Sequence, residues 1–136
     1  MSASTAFAND LLTALLVDGD FGATYIALHT ADTGAGGTQA TSELAYTGYA
    51  RQLVNPADWA VSGATFENEL AIEFPEVTGV TGSPIATHFT IGNTASGAGK
   101  VLLRGKLTNP LPITVGQEPR FKAGVLTGSV DTSAPV

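Results

Sequence analysis

Cysteine is absent from this 136-residue chain, which excludes disulfides, thiolate metal sites and a cysteine nucleophile. Charge is scarce: 13% of residues are Asp, Glu, Lys or Arg, about half the usual share. Aromatic residues make up 7%, with a single tryptophan, and there are two histidines, His29 and His88. No uninterrupted apolar run approaches the ~18 residues of a membrane-spanning helix, and the first residues carry no basic segment of a secretory signal. Asn-x-Ser/Thr acceptors are missing too. These absences lead to the expectation of a soluble protein made in the cytoplasm, stabilised by packing or by assembly.

Against them stand 43% hydrophobic residues and 16 glycines, enough apolar content for a core and too little net charge for a disordered chain. The length suits one domain, expected over residues 1–136. Net charge is −6 with a pI near 4.6, which opposes binding to nucleic acid or to an anionic membrane by general electrostatics. The charge is unevenly spread. Residues 1–76 carry ten acids and one base, Arg51, whereas residues 77–136 carry two acids and five bases, Lys100, Arg104, Lys106, Arg120 and Lys122. Such a run usually only solvates a strand face. Its sharper reading is a docking face for an acidic surface on a partner or a second copy.

Residues 4–17 read as one helix, with Phe7, Leu11, Leu12, Leu15 and Leu16 as its apolar stripe, a cap at Ser2, Ser4 or Thr5, and a stop at Asp18-Gly19-Asp20. Beyond Gly22 the pattern is short and alternating. Strands are expected at 24–30, 49–54, 59–61, 64–66, 70–74, 85–91, 101–107 and 121–130, separated by Asn-Pro, Ser-Gly and glycine-rich turns. The predicted fold is mainly β: a sandwich or barrel of about seven to eight short antiparallel strands with one N-terminal helix. Pro110 and Pro112 cannot donate to a ladder, so their stretch is an edge strand or a crossover. The 32–42 loop is the candidate mobile excursion, and the polar tail 131–136 is expected to be loose.

Chemistry-bearing motifs are few. No Gly-x-Ser-x-Gly elbow surrounds any serine, and His29 with Asp32 is the one pairing worth weighing as catalytic, against the commoner role of a hydrogen-bonded strand histidine. Glu67, Glu69, Glu73 and Glu76 form the densest acidic cluster, without the acid-and-glycine order of a calcium loop. Gly97-Ala98-Gly99-Lys100 has some likeness to a P-loop but continues with Val101, and reads as a hairpin turn. The expectation is a protein without catalytic residues, metal or cofactor.

Several segments together resemble a family of small tailed-bacteriophage virion proteins, described as tail-fibre-like or minor structural proteins. They are Tyr25–Asp32, a glycine-rich loop, Glu43-Leu44, Gly48-Tyr49-Ala50-Arg51, Trp59, Ala71–Pro75, Thr87–Ile91, Val101–Leu107, Pro112–Gly116 and Phe121–Leu126, within residues 24–128. The resemblance implies a virion component. Physical argument favours first a capsid decoration or cement protein, because 136 residues leave no room for a fibre shaft and binding the assembled shell stabilises it. Its partners are then the major capsid protein or neighbouring virion proteins, with self-association, a trimer at a local threefold position being one form. Contact candidates are Arg104, Lys106, Arg120 and Lys122, with Gly34, Gly36 and Gly37 in the loop. The alternative is a tail-located structural or host-adsorption module, with glycan binding around Trp59 and Tyr49.

Overall fold

A computed structural model describes residues 2–20 and 22–132. Helix α1 (Thr5–Leu12) opens at Ser4, whose Oγ accepts from the Phe7 N–H at 3.2 Å and satisfies one of the donors a helix start leaves unpaired. The next turn, Thr13–Val17, widens to π geometry, with the Asp18 N–H reaching Thr13 O at 2.8 Å. Gly19 then takes φ 69°, the left-handed conformation that closes helices. The buried stripe differs from the expected one. Ala8, Leu12, Leu15 and Leu16 face inward, whereas Phe7 and Leu11 are 58% and 40% exposed. Successive residues turn about 100° around a helix, so a stripe centred on positions 8, 12 and 15 leaves 7 and 11 on its flank.

Nine strands follow among the described residues, all antiparallel where paired: β1 (Thr24–His29), β2 (Gln52–Val54), β3 (Trp59–Ser62), β4 (Thr65–Asn68), β5 (Ile72–Glu73), β6 (Ile85–Gly92), β7 (Val101–Pro112), β8 (Arg120–Phe121) and β9 (Thr127–Ser129). They form three open sheets, ordered β2-β1-β6-β7, β3-β4-β9 and β5-β8. No barrel closes among the described residues; the mainly β fold with one N-terminal helix stands.

The chain divides into two compact units, each built from separated segments. One comprises residues 1–23, 54–72 and 121–136, the other residues 24–53 and 73–120. In the first, the helix packs beside β3 and β4, and Trp59 meets Phe66 edge to face at 5.6 Å between ring centres. The expected strand 121–130 breaks here into β8 and β9. Gly124 at φ 78° forms a turn, and the buried Asn68 holds it: its Nδ2 donates to Lys122 O and Leu70 O, its Oδ1 accepts from Leu126 N–H, and its own O accepts from Gly124 N–H. Of the tail expected to be loose, 131–136, residues 133–136 lie outside the described residues.

In the second unit, one face of the four-stranded sheet carries Ile26, Leu28, Phe89 and Ile91, all buried, each apolar side chain contributing about 1.5–3 kcal/mol by leaving water. Phe89 lies over Gly105, where an added Cβ would come within 2.6 Å of the ring. β7 is an edge strand, as its prolines require. Between Ala86↔Leu111 and His88↔Lys106 two steps on β6 match five on β7, so β7 bulges within residues 107–110, the stretch that holds Asn109-Pro110.

Candidate functional site

Side chains alternate across a strand, and the register therefore groups the residues of the opposite sheet face. On β1 and β6 these are Tyr25, Ala27 and His29 against Gly92, Thr90 and His88; β7 adds Arg104 opposite Thr90 and Lys106 opposite His88. The segment between β1 and β2 lies across this face. It is tied down rather than free: the Thr30 N–H bonds Ser42 O at 2.9 Å, the Gln39 N–H bonds Gly99 O at 2.9 Å, and the buried Gln39 Nε2 donates to Tyr25 O at 3.0 Å and Thr90 Oγ1 at 3.3 Å. The expectation of a mobile excursion over 32–42 fails for its later half, because one buried amide reads two sheet groups. Gly92 and Gly99 make room for it; a Cβ at Gly92 would stand 2.0 Å from Gln39 Cδ.

His29 completes this buried relay. Its Nδ1 lies 2.9 Å from Thr41 O and its Nε2 lies 2.8 Å from Thr90 Oγ1. A carbonyl can only accept, so Nδ1 carries the proton and Nε2 accepts from the Thr90 hydroxyl. Burial pulls the imidazole below its ordinary pKa, against the raising effect of its bond to Thr41. Both ring nitrogens are thus engaged, and Asp32 bonds elsewhere, so the His29–Asp32 pairing does not form.

Asp32 instead meets Arg104, whose Nη1 donates to Oδ1 at 2.6 Å and Oδ2 at 2.7 Å. The Gly34 N–H adds a bond to Oδ1 at 3.1 Å, with Gly34 at φ 74°. The Arg104 bond, then the Gly34 bond, hold the Asp32 carboxyl below its usual range. Asp32, His88, Arg104, Gly105 and Lys106 line a shallow open cleft of about 280 Å³. His88 Nδ1 shares a bond with Thr87 Oγ1 at 2.8 Å.

Of the expected contact residues, this cleft unites Arg104 and Lys106, and Gly34 steadies its acid. Gly36 is exposed beside them in the loop, and Gly37 closes the loop's turn, where a Cβ would strike Thr33 O at 2.1 Å. Arg120, on β8, faces Glu73 at 3.7 Å. Lys122 lies in the Asn68-held turn of the other unit. Among the described residues, no three of the acids and histidines converge on a point that could hold a metal ion.

A second constellation escaped the sequence reading. Arg51, 7% exposed, donates to Glu43 through Nε at 2.7 Å and Nη2 at 2.9 Å, and to Thr94 O and Gly97 O on the β6–β7 turn. The Tyr49 hydroxyl donates to Glu43 Oε2 at 2.9 Å and accepts from Leu28 N–H at 3.1 Å; burial pushes its pKa up. The signal was available, since Arg51 is the lone base among the first 76 residues. Trp59 is 3% exposed, so its ring offers no platform for the glycan expected around it, whereas Tyr49 is half-buried. Another open groove lies on the β3-β4-β9 sheet, lined by residues of all three strands, among them Thr65, Phe66, Glu67, Thr127 and Gly128.

No curated protein matches the chain. A family model does, described as podophage GP4 fiber I protein gp80, over residues 2–129. Spanning nearly the whole chain, that match assigns this protein to the Gp80 family of tailed-phage virion proteins.

Proposed function

We propose that the protein is a non-enzymatic, tail-located module of the phage particle, fibre-like in role, which contacts neighbouring virion proteins or further copies of itself and serves host adsorption. The observation that carries this reading is the match to a fibre-protein family over residues 2–129. It supports the tail alternative over head decoration, whose argument rested on length and charge. The Arg51–Glu43 clasp and the His29 relay give the tied-down loop and the β6–β7 turn fixed positions, which suits a surface that must present contacts without refolding.

Copy number and location test it together. Quantitative mass spectrometry of purified virions, scaled to the major capsid protein, is expected to give a few copies per hundred capsid proteins, with gold-labelled antibody at the tail. A ratio within a few-fold of one-to-one, with label over the head, returns the protein to shell decoration. Absence from particles removes both structural readings.

A further inference from the structure

The chain is acidic, yet no acid occurs between Glu76 and Glu118, the stretch that forms β6 and β7. That ladder carries Arg104, Lys106 and His88, with Lys100 just before β7, and the acid that reaches its cleft, Asp32, comes from the overlying loop. Asp32 occupies a single nitrogen of Arg104. Both carboxylate oxygens sit on Nη1, so among the described residues Nε and Nη2 donate to nothing. A guanidinium has five N–H donors in a planar fork, and the remaining edge is free for a second carboxylate while Asp32 limits the fork's motion. Among the described residues Lys106 has no acid partner, and His88 has Nε2 unbonded. The cleft thus offers donors for an anion beside one fixed acceptor, Asp32, that suits a hydroxyl. At about 280 Å³ and open to solvent, it falls just below the roughly 300–1,000 Å³ of drug-sized ligand pockets, with room for one ring.

We propose that Asp32, His88, Arg104 and Lys106 bind a uronate residue of an acidic polysaccharide, its carboxylate on the free donors of Arg104 and on the Lys106 ammonium, its hydroxyls on Asp32 and His88. This deepens the adsorption reading and rests on it for biological sense, but its test uses the isolated protein and is independent of where the protein sits in the particle.

The experiment is a titration of the full, 15N-labelled chain with oligogalacturonate, alongside neutral galactose oligomers, acetate and poly-glutamate. Saturable shifts are expected at the amides near residues 32, 88 and 104–106 with the oligogalacturonate. Arg104→Lys keeps the charge but loses the planar fork, and should weaken binding about tenfold or more; Lys106→Ala should weaken it about tenfold. Asp32→Asn should erase the preference for galacturonate over acetate while retaining anion binding. Since Arg104 and Lys106 are exposed, an unchanged spectrum elsewhere verifies the fold, and Lys106→Glu serves as a second variant. Equal shifts with neutral oligomers or with acetate overturn the proposal. So does saturation by poly-glutamate without saturation by oligogalacturonate, which would make this face a protein-docking surface. Tail labelling with no uronate binding would sink this inference and leave the adsorption reading standing; uronate binding by a head-located protein would do the reverse.

Discussion

At the scale of single residues, two buried polar side chains set measurable terms. His29 is fully buried and neutral, with Glu43, Arg51 and His88 as its charged or titratable neighbours. Its folded pKa lies below the ordinary 6.5, so below that pH the unfolded chain takes up the proton first and stability falls. The loss runs from about pH 6.5 down to the lowered folded value, at up to about 1.4 kcal/mol per pH unit, and is complete below it. Urea midpoints measured from pH 7.5 to 5 should therefore fall more steeply for the native chain than for His29→Gln; parallel curves would contradict the relay. The Asn68 side chain satisfies three backbone groups of its own unit, Leu70 O, Lys122 O and the Leu126 N–H. Asn68→Ala leaves several of them buried and unpaired, at an expected cost of about 3 kcal/mol, read as a lower thermal midpoint with the turn at 122–126 losing protection from hydrogen exchange.

Among the elements, the β6–β7 turn and the loop ending at Glu43 depend on one cation. Arg51 is nearly buried while Glu43 keeps some solvent, with side-chain exposures of 2% and 19%, so the pair is worth less than a fully buried one. Arg51→Met is expected to cost about 2 kcal/mol and to speed hydrogen exchange at residues 94–99, where native contacts end. Unchanged exchange there would mean the turn holds itself. The expected strand boundaries held where alternation was clear, at β1, β3 and β6. They failed at 121–130 because nothing local reveals that a distant asparagine, 54 residues from Lys122 in sequence, captures the turn between Phe121 and Thr127.

For the whole molecule, each unit is assembled from separated segments, so neither survives as a continuous piece. Ending the chain at residue 120 removes β9 from the β3-β4-β9 sheet and with it Leu126 from the core. Such a truncation is expected to lose the dispersed amide signals of Trp59 and Phe66 and the dispersed amide and methyl signals of the helix; a spectrum that retains them would contradict the segment composition of that unit. The basic residues were legible as a run, but not as a site. Arg104 and Lys106 share a face because they are two apart on a strand. Arg120 and Lys122 go elsewhere because the chain leaves that strand at Pro112.

Composition and periodicity were sufficient for the mainly β class, the N-terminal helix and the proline-marked edge strand, because each depends on neighbours within a few residues, whereas the phage virion resemblance came from particular segments spread over residues 24–128. Tertiary folding decided which helix face is buried, that the 32–42 loop is held rather than free, that His29 and Arg51 are interior polar anchors, and that Asp32 joins Arg104 instead of His29. Those outcomes depend on contacts between residues 8 to 72 positions apart. A polar side chain's partner is set by where the sheet register and the loop path place a complementary group, and no local pattern encodes that placement.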